Sequence, residues 1–431
     1  MGTLITSIHA REIFDSRGRP TVEAEVTLDN GMSGRASVPS GASTGRHEAL
    51  ELRDGDASNL RGLGVRHAVA NVTQSIAPAL IGMNAADQRS IDTTLIQLDG
   101  TPNKSRLGAN ATLAVSVATS RAAAAAAGVP AWRYIAGDGE PLLPMPMVNM
   151  ISGGLHAARV LDVQDFLIIP IAAQSYRGAL TMALQMHAAV GDEIASRGLS
   201  VLKADEGGYG PALASNREAL DLLMKACERA GYTPGVDVAF ALDVASTHFF
   251  ESSAGAYRLE IEKRALTPCQ LVDLLEEWTR EYPLISIEDG LAEEDWDGWK
   301  LLTERLGTKA QLLGDDLFTT NPQRLQRGIN DGIANAILVK MNQIGTLTET
   351  LDVVHMARRA GYATVISARS GETEDSFLAD LAVGCAGGQI KIGSVWSSER
   401  MSKYNQLLRI EEELGPGKFA RDMKGAHNAK Q

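Results

Sequence analysis

From residue 238 to residue 393 the chain repeats one pattern: a short apolar run, usually ending on a charged residue, then a longer amphipathic stretch. The runs are VAFALD (238–243), LISIED (284–289), QLLGDD (311–316), AILVK (336–340), TVISAR (364–369) and QIKIG (389–393). Near-continuous apolar character predicts strands buried on both faces. A spacing of roughly 25 to 45 residues leaves room for a helix between successive strands, the rhythm of a βα barrel. In such a barrel the C-terminal ends of the strands open onto one mouth, so residues far apart in sequence converge there. A single acid after a strand reads most simply as a helix cap. A series of strand endings, mostly acidic and then basic, is not explained by capping.

The first part of the chain has a different texture. VEAEVTL (22–28) alternates apolar and polar residues and predicts an amphipathic strand. The stretch 109–127 predicts an alanine-rich helix closed by Gly128 and Pro130. The turn-rich GDGEPLLPMP (137–146) marks the domain boundary. The fold class expected is therefore α/β, with an N-terminal α+β domain over 1–136 and a (β/α)8 barrel over 137–431, a division that suits 431 residues. A net charge of −12 argues against a nucleic-acid partner. The alanine run at 122–127 is too short and too weakly hydrophobic to span a membrane. Cys227, Cys269 and Cys385 lack CxxC spacing, and the first residues lack an apolar leader segment. No disulfide framework, no signal peptide and a cytoplasmic location are expected.

Three carboxylates, Asp243, Glu288 and Asp315, fall at the ends of successive barrel strands. Brought together in a half-buried site they would repel one another, and an all-oxygen ligand set of this kind selects Mg²⁺ or a similarly hard cation. Lys340 ends the next strand, where a nearby cation would lower its pKa and make it a base. Arg369, Ser370 and Lys391 follow, suited to a substrate bearing phosphate and carboxylate groups. The Gly/Ser loop around Ser40, within 38–56, has the makings of a lid over a bound anion. Glu206 precedes two glycines in KADEGGYGP (203–211), placing on a tight loop a carboxyl group that could stay protonated and act as an acid.

The motifs SGASTG, DEGG, ALDVAS, SIED, GDDL, KMNQIGTL, RSGETED and GQIK, with LLRIEEELG near the end, occur in the order found in enolases, and the chain resembles that family over nearly its whole length. The resemblance implies a small N-terminal domain against an eight-stranded barrel whose first strands include an antiparallel one. It further implies a first Mg²⁺ on Asp243, Glu288 and Asp315, and a second recruited with substrate at Ser40. Lys340 matches the base that takes the C2 proton, and Glu206 the acid that helps hydroxide leave C3. His156 and Asp165 match catalytic-site positions; Arg369, Ser370, Lys391, Gln164 and Ala368 match substrate-binding ones. The partner implied is a small phosphorylated hydroxy acid, and the assembly a homodimer or a group of dimers.

The sequence departs from the family at several places. Ala368 stands where the family has histidine in SHRSGETED, and Asp165 where QEF has glutamate. His248 replaces an acid, Ser152 an asparagine, and IGSV (392–395) the usual TGAP. Two substrates are therefore expected as alternatives. One is 2-phosphoglycerate; the other is a 2-phosphoglycerate enlarged on its phosphate, as used by the enolase-like carboxyphosphonoenolpyruvate synthases of phosphonate and phosphinate pathways. Retention of Lys340 and Glu206 disfavours a non-catalytic binding protein on the same scaffold.

Overall fold

The computed structural model describes residues 2–42 and 45–421; Ser43 and Thr44 of the expected lid lie outside the described residues. Strands β1 (Ile5–Phe14), β2 (Pro20–Leu28) and β3 (Ser33–Ser37) form an antiparallel sheet in that order. The alternation expected of β2 holds: Val22, Ala24, Val26 and Leu28 are buried. They face the helix Ala109–Ala127, whose small side chains allow a close approach to the sheet. Gly34 on β3 shows how close: a Cβ there would lie 2.2 Å from the carbonyl oxygen of Ala118. Gly128, with φ +70°, ends the helix in a left-handed cap, as the sequence predicts. The same helix is pinned to the barrel. Thr112 Oγ1 donates to the Gly345 carbonyl at 2.9 Å, and the Leu347 amide donates to Ser116 Oγ at 3.0 Å. Both partners follow Lys340 closely in sequence, so the N-terminal domain braces one side of the mouth.

The barrel comprises β4 (Met145–Ser152), β5 (Asp165–Ile169) and β6 (Ala239–Asp243), then β10 to β14 after a small inserted sheet of β7 (Phe250–Glu251), β8 (Ala256–Leu259) and β9 (Arg264–Leu266). The later strands are β10 (Leu284–Glu288), β11 (Gln311–Gly314), β12 (Ala336–Val339), β13 (Ala363–Ser367) and β14 (Gln389–Gly393). They close in the order β10-β11-β12-β13-β14-β4-β5-β6. Strand β5 runs antiparallel to both neighbours and the other pairs are parallel, as the enolase resemblance implies. Each apolar run read from sequence falls on one of these strands. Intervening α-helices other than Phe377–Gly384 start at side-chain caps; Thr267 and Gln270 form a capping box before the helix Pro268–Glu281. Among the described residues, no helix is long and apolar enough to cross a membrane.

Candidate active site at the barrel mouth

The floor of the mouth is made by strand ends. Asp243 closes β6 and Glu288 closes β10; Asp315 and Lys340 directly follow β11 and β12, and Lys391 lies in β14. All of these are buried but Lys340, whose side chain is 12% exposed. Lys391 Nζ lies 2.9 Å from Asp243 Oδ2 and 2.7 Å from Glu288 Oε2. Lys340 Nζ is 2.5 Å from Asp315 Oδ2. The sequence reading balances the carboxylate trio with a metal ion; closure of the barrel also brings two ammonium groups against it.

Their electrostatics follow from burial and from this pairing. Burial, then Asp243 and Asp315, push Glu288 well above the usual carboxylate range, although Lys391 opposes the shift. Burial disfavours the charged form of Lys391, but Asp243 and Glu288 outweigh it and raise the lysine well above its ordinary value. Burial likewise works against charge on Asp315 and Lys340, yet their mutual attraction lowers the acid and raises the base. The lowering that the sequence reading expects for Lys340 is one that a bound cation would supply.

The donors fit a hard divalent cation. They are buried carboxylates, and Glu288 Oε1 and Gln164 Oε1 are buried with no hydrogen-bond partner among the described residues. Gln164 reaches the same site, its Nε2 donating to Asp243 Oδ2 at 3.1 Å. Two other groups of ligating side chains converge more tightly, within 4.8 Å: Asp289–Asp315–Asp316 and His156–Asp165–Glu206. The Asp289 carboxylate accepts the amides of Asp315 and Asp316 at 3.0 and 2.7 Å, so it shapes the loop that presents Asp315.

On the lid side, the segment after β13 meets the N-terminal domain. Ser40 and Gly371 exchange backbone hydrogen bonds of 2.8 and 2.9 Å. Ser40 Oγ donates to Glu51 at 3.0 Å and accepts from Arg53 at 2.9 Å. Arg369 pairs with Glu48 at 2.8 Å and donates to Asn342 Oδ1 at 3.0 Å. Ser370 Oγ accepts from Arg17 at 3.1 Å and from the Ala42 amide at 2.7 Å. Arg400, wholly buried, donates to the carbonyls of Arg369, Ser370 and Ile392 at 2.6 to 2.9 Å and fixes the backbone of this segment. Sequence reasoning missed Arg17, Glu48, Asn342 and Arg400. Glu48 lies within the loop already singled out and Asn342 within KMNQIGTL, but nothing in the spacing marks Arg17 or Arg400.

The opposite wall carries Glu206, His156 and Asp165. His156 Nδ1 is 3.1 Å from Asp165 Oδ2, and its Nε2 is 3.9 Å from Glu206 Oε1. Burial works against the imidazolium, but Asp165 and Glu206 raise His156 to about 9. Burial would raise Glu206; the charges of His156, Arg400, Lys391 and Lys340 outweigh it and lower the acid. Glu206 is therefore ionised here, against the expectation of a protonated carboxyl group, and the proton of this wall sits on His156. Asp165 Oδ1 accepts from Asn149 at 2.6 Å and from Ser152 Oγ at 2.8 Å. Two departures from the family, Ser152 and Asp165, thus touch each other. The sequence reading pairs Asp165 with Ala368 on the lid side; the structure sets its carboxylate behind His156. His248 stands in the turn after β6, its Nδ1 buried without a partner among the described residues.

One cavity joins these parts, lined by His156, Gln164, Glu206, Asp243, Lys340, Ser367, Ala368, Arg369, Ser370 and Lys391. Ala368 is buried and its amide donates to the Lys391 carbonyl at 2.9 Å, so its methyl group faces a space framed by cations. Such an arrangement can bind a multiply charged anion, hold a base on one side of it and a proton source on the other, and exclude most water.

Comparison with known families agrees with this geometry. Residues 5–135 match the model described as the enolase N-terminal domain, and residues 140–429 match that of the enolase C-terminal TIM barrel domain. With both domains matched in order over nearly the full length, and a closed eight-stranded barrel bearing the expected mouth, the chain belongs to the enolase family of dehydratases.

Proposed function

We propose that the protein is a Mg²⁺-dependent lyase that removes water from a 2-phosphoglycerate-type acid to give the enolpyruvate product. The observation that carries this reading is the presence, in one cavity, of a lysine and a glutamate beside the buried carboxylates and Arg369. Asp243, Glu288 and Asp315 would hold one Mg²⁺, and Ser40 with the substrate phosphate a second; bound there, the ions would stabilise the charge that gathers on the substrate carboxylate as C2 loses its proton. Lys340 takes that proton once it is neutral, a state that Asp315 opposes while the two face each other alone. The C3–O bond then breaks, and Glu206 gives the departing hydroxide a proton so that it leaves as water. Because Glu206 is ionised at rest, His156, protonated and 3.9 Å away, first hands it the proton that it delivers. Arg369 and Ser370 bind the phosphate, and Lys391, with Gln164, lies on the carboxylate side.

Ala368 favours a second reading, in which the phosphate carries a substituent. A histidine here would fill space and donate to a phosphate oxygen; alanine does neither and lines the cavity. The test is kcat/KM for 2-phosphoglycerate, followed by enol absorbance, against the same constant for a phosphate-substituted analogue. Turnover of neither would sink both readings. Fast use of 2-phosphoglycerate with rejection of every analogue would leave the ordinary enolase reaction alone. The same family reading proposes a homodimer or an assembly of dimers, which a monomer by light scattering at micromolar concentration would contradict.

A further inference from the structure

Glu206 lacks an anchor of its own. Among the described residues no group donates a hydrogen bond to its carboxylate, whereas Asp165, beside it, is held by Asn149, Ser152 and His156. What places Glu206 is the turn that carries it. Lys203 and Tyr209 pair as an antiparallel bridge, and the Ala204 amide donates to the Gly208 carbonyl at 2.8 Å. The turn is tied to the segment after β14 by the Ser394 amide, which donates to the Glu206 carbonyl at 2.8 Å.

The outer face of that turn is covered by side chains. Lys203 Nζ stands 2.9 Å from the centre of the Tyr209 ring and 5.0 Å from that of Trp396. His187 stacks on Tyr209 at 4.7 Å and on Trp396 at 6.1 Å, and its Nε2 lies 3.4 Å from the Gly207 carbonyl. Trp396 presses on Gly207 so closely that a Cβ there would lie 2.9 Å from its own Cβ. Burial and Lys203 lower His187 to about 4, so the ring in the stack is neutral. No carboxylate among the described residues pairs with Lys203, and aromatic faces are its partners. Trp396 is 53% exposed, so burial of its own surface is not its main contribution. It directly follows IGSV, the segment that replaces the family's TGAP.

We propose that Lys203 and Trp396 are positioning residues for Glu206, clamping the outer face of the 203–210 turn and so fixing where the carboxylate meets the C3 side of the substrate. The clamp acts on the acid and leaves the base alone, since Lys340 is held from the other side of the mouth. The proposal rests on the reading of Glu206 as the acid.

The test uses the full chain with Mg²⁺ and 2-phosphoglycerate, and measures C2 hydrogen exchange with solvent separately from enol formation. Trp396→Ala and Lys203→Met should slow enol formation about tenfold or more while exchange stays within about twofold, because a displacement near 1 Å suffices for a loss of that size. Trp396→Phe, which keeps an aromatic face, should restore most of the rate. Without substrate, amide hydrogen exchange of residues 203–210 should quicken severalfold in Trp396→Ala and Lys203→Met, and that of 153–163 should not. Glu206→Gln separates the two ideas. If it leaves the ratio of exchange to enol formation unchanged, the acid assignment is wrong and the clamp has nothing to position. If it shifts the ratio but the clamp variants do not, or if amide exchange in 203–210 is unaltered, the clamp is wrong and the acid stands.

Discussion

On the floor of the mouth, Asp243, Glu288 and Asp315 each have a lysine ammonium within 2.9 Å; four of the five groups come from strand ends or the residues next to them, and Lys391 comes from within β14. On the walls, Glu206 stands on a turn, His156 on a short 3-10 helix and Ala368 directly after β13, and their surroundings are set by neighbours such as Ser152, Asp165 and Trp396. The departures from the enolase pattern fall on the walls and loops, and the floor keeps its residues. Charge explains the difference. A buried group of three acids and two bases tolerates no loss, because removing one member leaves an uncompensated charge. A wall built from shape and single hydrogen bonds can change one residue at a time, and Ser152 against Asp165 shows two such changes in contact.

If that division holds, chelation should have the largest effect. Activity should fall to background with a chelator and return with Mg²⁺, since the floor has to exchange its lysine pairing for a cation before Lys340 can act. Full turnover in metal-free buffer would undo the account of the floor. Next in size is Lys340→Ala, which should cost about 10²–10⁴-fold in turnover. It should also abolish C2 exchange, which Glu206→Gln preserves in part. Exchange at the wild-type rate in Lys340→Ala would show that floor and wall have been assigned the wrong roles.

Changes on the wall should alter selectivity more than they impair chemistry. Ala368→His should raise kcat/KM for 2-phosphoglycerate by about tenfold to a hundredfold, the worth of one charge-assisted hydrogen bond of about 1.5–3 kcal/mol. It should also weaken any phosphate-substituted substrate. Asp165→Glu alone should gain little, because Asp165 is fully buried against Asn149 and Ser152 with no space for a methylene. A gain carried by Asp165→Glu would place the specificity on the acid side of the mouth.

The smallest effect concerns a buried acid outside the mouth. Burial raises Asp380 from its ordinary 3.8 to about 6, with Arg121 and a 3.3 Å contact from Gln406 only partly opposing. The unfolded chain ionises first, so stability falls as pH rises from about 4 to about 6 and stays lower above that. Asp380→Asn should therefore melt higher above pH 6, by on the order of 1 kcal/mol, and match wild type near pH 3. An equal difference at both pH values would mean that ionisation of Asp380 is not the cause. The comparison shows what a buried carboxylate costs where no lysine has been supplied.

The barrel strands from β6 onward were legible as apolar runs, all but β14 closed by a charge, and the strand-end rule then places Asp243, Glu288, Asp315, Lys340 and Arg369 at one mouth, whereas Lys391 lies within its strand. Strands β4 and β5 were visible only through the family resemblance. MPMVNMIS is buried throughout and shows no alternation, and no local pattern in DFLII reveals that it runs antiparallel. Helix Ala109–Ala127 was readable from its alanines and its glycine stop, but its contact with Gly345 was not.

The sequence by itself determined which groups stand at the mouth and in what order, because strand ends and turn residues are local properties. Only the tertiary structure decided which groups meet. Closure of the barrel sets Lys391 between Asp243 and Glu288, 148 and 103 residues away, and packing of the N-terminal domain brings Arg17 to Ser370 across 353. It also decided the protonation states. The sequence reading allowed Glu206 to stay protonated on the strength of its loop, yet the charges of His156, Arg400, Lys391 and Lys340 lower it and leave the proton on His156. A pKa sums the field of every nearby charge with the burial of the group, and neither quantity exists until the chain has closed on itself.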